Sequence, residues 1–415
     1  MKTGLILSMI LGLFVPLQAN DTIRLNIQQA DSIFLSNNLL LIAAQLNVEA
    51  NEALKIQARL WPNPNLRFDF NAIDPENKRT FHAGNTGQKS LVFEQLFLTA
   101  GKRKEQIKLA AGNAELALAE FSDLLRELRY KLYTHFFKAN QQIQLMATYD
   151  KQLVVLDSLI ETYNQQAAKG NITVKDVIRL KSAYFGLNNE RTAAYIQLNE
   201  DQKEIRTILQ LDSFILPLNL EDWYRKITVP VAMLSLLDSA LRNRPDLHIA
   251  RIQADLSNLN LRIQKKQNIP DINFIASYDQ RGGAFTNQIN AGLGFTLPFW
   301  NRNTGNIRYA ATQVRLAETM SKVAENRVKQ ELVEAFEAMN SSVSEYLKIN
   351  NLYSSEFDEV INGVNQNFKK RNISMLEFMD FFEAYISAKA EYERVRGQLA
   401  FSAAYLNYIT SSSIY

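Results

Sequence analysis

The sequence predicts a mainly α protein with a small β part, built from a duplicated helix–β-hairpin–long-helix–helix repeat. Three observations carry that reading: few helix breakers, an internal repeat, and short period-two segments set between very long helical ones. The 415 residues include only 15 glycines and 9 prolines, well below the average usage of roughly 7% and 5%. So few breakers favour long helices over many strands and turns. Three histidines and no cysteine argue against a protein-built zinc, copper or iron–sulfur site. The lack of thiols also removes disulfide scaffolds, cysteine nucleophiles and cysteine-linked lipid anchors. A formal charge of +3 is no footprint for nucleic acid, and none is expected as a partner.

Residues 1–19 read as a secretory signal peptide. Lys2 precedes an apolar core of about 11 residues from Leu5 to Val15, and small Ala19 precedes polar Asn20. That core is too short to span a membrane as a helix, and no later apolar stretch approaches the roughly 18 residues required. Residues 20–415 are therefore expected to form the exported protein.

The exported part is written twice. Asp31-Ser32 aligns with Asp238-Ser239, Ile56-Gln57 with Ile263-Gln264, Pro64 with Pro270, and Asn171-Ile172-Thr173 with Asn372-Ile373-Ser374. The offset shortens after the Phe68 and Phe274 regions, so the first copy carries extra residues between 70 and 90, where a surface loop tolerates them. Two long copies imply a duplication with twofold-like internal symmetry. Repeat 1 is expected over about 28–211 and repeat 2 over about 231–410. The segment 212–230, with Pro217 and Pro230, reads as the linker between them.

Within each copy the order follows from spacing. A helix over 28–60 stops before Trp61-Pro62-Asn63-Pro64. In the hairpin 65–98, Leu66, Phe68, Phe70 and Ala72 alternate with Asn65, Arg67, Asp69 and Asn71, and 75–88 closes it. From Lys102 to Lys169 there is no proline and one glycine, which predicts a helix about 100 Å long. Its apolar stripe through Phe121, Leu125, Leu128, Leu132 and Phe136 is widened by Leu124, Tyr133 and Phe137, enough to meet neighbours on two sides. In the second copy the hairpin is 271–298, closed by Gly282-Gly283, and the long helix is expected from Asn306 to Lys370. There Ile289, Ala291, Leu293, Phe295 and Leu297 alternate with Asn290, Gly292, Gly294 and Thr296. Strands 89–98 and 271–281 are less clean, with Glu94 and Asp279 on the polar side. Alternating segments of about ten residues have the length of a tilted strand crossing a bilayer. Four strands cannot close a barrel and open edges are excluded from lipid, so several copies must combine; three would give twelve strands.

The layout resembles the TolC-type outer-membrane efflux proteins over essentially the whole exported chain. Arg244-Pro245-Asp246-Leu247 opens a helix of the second half as in that family. The run from Leu297 to Ile307 (LPFWNRNTGNI) resembles the cation-efflux (CzcC-type) branch in particular, as does Glu94-Gln95 followed by Gly101-Lys102-Arg103. The resemblance implies a homotrimer whose 12-stranded outer-membrane β-barrel continues into a periplasmic α-helical coiled-coil tunnel. It implies location in the outer membrane of a Gram-negative bacterium, with the tunnel reaching into the periplasm. Implied partners are outer-membrane lipid, a periplasmic adaptor (membrane fusion protein) and an inner-membrane pump of the resistance-nodulation-division type. Many relatives are lipoproteins, whereas this chain has no cysteine to acylate.

Expected function is that of a passive exit duct for heavy-metal cations, with no cofactor and no enzymatic step. Alternatives are a duct for drug efflux or type I protein secretion and, from another class, a periplasmic coiled-coil adaptor or structural protein. His82 in the expected loop, His135 in the long helix and His248 are assigned surface or packing roles. The functional residues are placed at the two helical turns, Gly170, Asn171, Ile172 and Thr173, and Arg371, Asn372, Ile373 and Ser374. The resemblance puts these at the periplasmic tip where an adaptor docks, and the same residue types suit helix caps. Glu377 and Asp380, three residues apart on one helix face, match the family's acidic pair at the closed tunnel mouth. In a trimer they would make six carboxylates that attract cations and raise one another's pKa. Asp176 and Arg179 hold the equivalent places in the first repeat, with Arg179 read as a latch to an acid on a neighbouring helix.

Overall fold

The computed structural model describes residues 22–218, 220–228, 232–281, 286–353 and 356–415. The expected signal peptide, Pro230 and the Gly282-Gly283 turn lie outside the described residues. Strand β1 (Thr22–Leu25) leads into α1 (Ile27–Asn37) and α2 (Leu39–Ala58). One continuous helix over 28–60 was expected, but the two segments are bent by 48° at Asn38. The Asn38 Oδ1 accepts the amides of Leu40 and Leu41, each at 3.0 Å, and its Nδ2 donates to the Ile208 carbonyl at 2.9 Å. A buried asparagine that caps a new helix while bonding another is a stronger local preference than continuing the first one.

β2 (Asn65–Asp74), β3 (Arg79–His82) and β4 (Lys89–Phe97) follow. The extra residues of the first copy are not a plain loop, because β3 folds back on the end of β2, pairing Asn71 with His82. His82 is therefore a strand residue. α3 (Lys102–Ala168) runs unbroken for 67 residues, about 100 Å, and α4 (Val174–Leu209) returns beside it.

The connection at 212–230 is folded onto the core. β5 (Phe214–Pro217) pairs in parallel with β1, and α5 (Glu221–Lys226) buries Tyr224 while Ile227 follows it inward. Arg396 bonds Glu221 and lies over the Tyr224 ring at 4.5 Å, fixing the connection to the second repeat. The short parallel pair escapes sequence reading because four-residue strands have too few positions to show a period.

The second repeat supplies α6 (Met233–Asn243), α7 (Pro245–Lys266), β6 (Ile272–Gln280), β7 (Gln288–Phe295), α8 (Thr304–Leu352), α9 (Glu356–Lys369) and α10 (Met375–Thr410). The helix expected over 306–370 is thus split after Leu352. Tyr353 turns to an extended conformation (φ −88°, ψ 99°), and its ring stacks on Tyr392 at 4.3 Å and Phe357 at 5.0 Å. Asn350-Asn351 precede it, and asparagine side chains offer the backbone alternatives to a helix. The first repeat has no such cluster in α3 and stays continuous.

Two hydrophobic cores result. One gathers Phe34, Leu132, Phe136, Phe137, Val328, Leu332 and Leu399 beneath the folded connection. The other joins Leu156, Leu159, Leu180, Phe368, Phe378 and Phe382 near the helical turns, with Phe368 and Phe378 stacked at 4.2 Å. The Arg-Pro-Asp motif also has a structural reason. Pro245 occupies the first turn of α7, and Arg244, 3% exposed, binds Asp246 through Nε and Nη2 at 3.0 and 2.6 Å. Its Nη1 reaches Glu331 on α8 at 2.6 Å. Truncation removes the short bonds to both carboxylates and leaves Asp246 with Arg126 and Arg327 at 3.5 and 3.4 Å and Glu331 with Arg327 at 3.8 Å, so Arg244→Ala is expected to cost about 2 kcal/mol in denaturant unfolding. The exposed Arg242–Asp238 pair provides the comparison, and Arg242→Ala is expected to cost under about 1 kcal/mol.

Candidate functional site

Two features stand at opposite ends of the long helices. At one end the hairpins merge into a single sheet of order β3-β2-β4-β6-β7. The join between repeats is the antiparallel pairing of β4 with β6, from Lys89 opposite Gln280 to Phe97 opposite Ile272. Residues directly opposite in an antiparallel pair point to the same face. The register puts Leu66, Phe68, Leu91, Phe93, Phe274, Ala276, Tyr278, Ile289, Leu293 and Phe295 on one face. Most of these side chains are exposed, Ile289 by 83%. The other face carries Asn65, Arg67, Asp69, Glu94, Ser277, Asp279 and Asn290, with Arg67 and Asp69 paired at 3.1 Å. Glu94 and Asp279 thus lie on the polar side, as the alternation implies. Among the described residues, the outer edges of β7 and of β2 over Asn65–Phe70 pair with no strand.

At the other end, the structure shows the same turn twice. Gly170 (φ +75°) and Arg371 (φ +61°) occupy the left-handed region just past α3 and α9. The Asn171 amide donates to the Gln166 carbonyl at 3.0 Å and the Gly170 amide to Ala167 at 2.9 Å. The Asn372 and Arg371 amides repeat this with Asn367 and Phe368 at 2.9 and 3.0 Å. This is the Schellman ending, in which a left-handed residue satisfies the last carbonyls of a helix.

Each turn then starts a new helix. Thr173 caps α4, its Oγ1 accepting the Asp176 amide at 3.3 Å and donating to the Asp176 carboxylate at 2.7 Å. Ser374 caps α10 in a capping box. The Glu377 amide donates to Ser374 Oγ at 3.2 Å and the Glu377 carboxylate accepts the Ser374 amide at 2.8 Å. That bond holds the Glu377 carboxyl below its ordinary range. Ile172 is half-buried, and Ile373 packs against the second core. Glu377, Asp380 and Arg179 are exposed, and Asp176 is half-buried. The helix-capping signature at Ser374 and Glu377 was legible in the sequence, where a serine or threonine stands three residues before an acid in both repeats.

The histidines are spread along the chain. His82 is buried, with Nδ1 2.7 Å from Asp74 and Nε2 2.9 Å from Thr86. His135 Nδ1 lies 2.8 Å from the buried Asp201, and His248 faces Glu115 at 3.6 Å.

No family model matches the chain. The chain is 21% identical over 378 residues to the cobalt-zinc-cadmium resistance protein CzcC of Cupriavidus metallidurans, covering 90% of this chain and 87% of that protein. Among solved structures, the CmeC outer membrane channel of Campylobacter jejuni superposes with a TM-score of 0.74. It is 12% identical, covering 94% of this chain and 86% of that one. The open state of the MtrE outer membrane channel of Neisseria gonorrhoeae gives a TM-score of 0.71 at 17% identity, covering 94% and 89%. The resemblance read from the duplicated hairpin frame holds for the three-dimensional structure: this chain has the fold of the TolC-type outer-membrane channels.

Proposed function

We propose that the chain is the outer-membrane channel of a tripartite efflux system, a passive duct that carries heavy-metal cations out of the cell. The observation that carries this reading is a sheet whose four long strands, β2, β4, β6 and β7, are mostly apolar on one face, with β7 and the Asn65–Phe70 part of β2 as open edges among the described residues, standing on a helix of 67 residues. Unpaired edges are excluded from lipid, so β7 of one copy pairs with β2 of the next. Three copies give twelve strands, with the polar faces around the lumen and the apolar faces in the outer membrane. Residues 1–19 direct export, and 20–415 form the channel as two repeats joined at 212–230. A structure of this kind positions and conducts; it catalyses no reaction. A drug-efflux or secretion duct would use the same architecture, and the likeness to CzcC favours cations.

The tips at Gly170–Thr173 and Arg371–Ser374 meet a periplasmic adaptor, through which the duct connects to an inner-membrane pump. Glu377 and Asp380, with Asp176 and Arg179 of the first repeat, ring the closed mouth. Six exposed carboxylates there attract cations. Their mutual repulsion would raise Glu377, whereas the capping box lowers it. Within a single chain the cap prevails.

Three outcomes follow. Deletion of the gene is expected to raise cellular retention of one or two among zinc, cobalt, nickel, copper and silver, reversed by complementation. Normal metal contents would move the cargo to drugs or proteins. In planar bilayers, Glu377→Ala combined with Asp380→Ala is expected to reduce cation selectivity, and unchanged conductance and selectivity would remove these residues from the gate. By carboxyl-carbon resonance, Glu377 is expected to titrate below the ordinary 4.5. A lowered folded pKa contributes stability above the unfolded value and loses it as pH falls through the folded one. The tip is therefore expected to hold its amide protection from about pH 8 to about pH 5 and to lose it only in stronger acid. A midpoint above 4.5 would mean that repulsion across the ring overrides the cap.

A further inference from the structure

The helix-proximal ends of the strands lie at one level, since Phe97 is opposite Ile272 and Ile272 opposite Phe295. Charge is concentrated just beyond that level. The segments 52–62, 99–108, 262–271 and 300–308 hold eleven lysines and arginines against three acidic residues, although the whole chain carries only +3. Further along the helices the balance reverts, with Glu49, Glu115, Asp255 and Glu318 among the next charged residues. The basic residues form a collar at the junction of sheet and helices.

Folding accounts for only some of them. Lys102 pairs with Asp271 at 2.8 Å, and Arg262 and Lys266 share the buried Glu105 at 3.3 and 3.0 Å. Arg103 lies over the Trp61 ring at 4.5 Å. Lys104, Lys265, Arg302 and Arg308 are exposed, with no carboxylate partner among the described residues. Lys265 suits the last turn of α7, but Lys102, Arg103 and Lys104 crowd the first turn of α3, where the helix dipole opposes positive charge. Helix stability does not explain that placement. At the same level Trp61, Phe299 and Trp300 are exposed by 55%, 65% and 96%. Tryptophan beside lysine and arginine is the composition of a surface that sits at a bilayer interface, rings among the acyl ends and cations among the phosphates. At 1.5 Å per helical residue, Lys104 and Arg308 lie within about 10 Å of the helix starts, comparable with a headgroup layer.

We infer that this collar binds the anionic phospholipid headgroups of the periplasmic leaflet and fixes the depth of the channel. The inference rests on the outer-membrane reading. Each cation near an anionic surface adds to attraction that decays within a Debye length.

The test is native mass spectrometry of the detergent-extracted full-length protein, titrated with phosphatidylglycerol or phosphatidylcholine. The wild type is expected to retain phosphatidylglycerol with about tenfold preference. Combined Lys104→Gln, Lys265→Gln, Arg302→Gln and Arg308→Gln is expected to abolish it. The matched change Lys151→Gln, Lys175→Gln, Lys181→Gln and Lys203→Gln on α3 and α4, with the same loss of charge, is expected to keep it. Equal retention of both lipids, or equal loss in both variants, would overturn the collar. Insertion of the wild type into pure phosphatidylcholine vesicles separates the two readings. A chain that inserts without lipid preference overturns the collar alone, and one that never inserts overturns the membrane reading with it.

Discussion

The antiparallel pairing of β4 with β6 is the contact on which the rest of the architecture depends. Each repeat contributes a hairpin, and an isolated two-stranded hairpin is marginal at best. Nine registered residue pairs between the repeats turn two hairpins into one sheet with one mostly apolar face, which also takes Lys89, Gln95 and Gln280. A slip of one residue would turn every β6 and β7 side chain to the opposite face, mixing Asp279 and Asn290 into the apolar side. Among the described residues, the same pairing leaves the outer edges of β7 and of β2 over Asn65–Phe70 without partners. In lipid an unpaired backbone amide costs several kcal/mol, so under the proposed function the fused sheet calls for association with copies of the same chain.

The helices extend away from that sheet. α3 reaches about 100 Å because it meets no breaker and because its wide stripe is buried at Leu128, Leu132, Phe136 and Phe137. A long helix gains little from propensity alone, so packing along its length sustains it. The two repeats differ where the second yields at Tyr353, and the aromatic stack of Tyr353, Phe357 and Tyr392 fills the break. They agree at the tips. Both turns use a left-handed residue followed by a hydroxyl cap, although one left-handed position is glycine and the other arginine.

Much of this was legible in the sequence, and the missed features have physical reasons. The period-two hairpins, the unbroken α3 and the duplicated turns show because their signals repeat over many residues. The kink at Asn38 and the break at Tyr353 depend on tertiary partners, the Ile208 carbonyl and the Tyr392 ring, which no local window contains. β3 is silent in the sequence because a four-residue strand has no resolvable period. The tip residues stand out because they recur in both repeats, and their capping roles follow from residue type.

The central claim is that the open sheet edges are satisfied by copies of the same chain. Native mass spectrometry of the protein extracted gently from outer membranes tests it most directly. The account predicts a species of three chains that falls to single chains on heating, together with loss of sheet signal. A single chain in the outer membrane, or a chain found as a soluble periplasmic monomer, would contradict it.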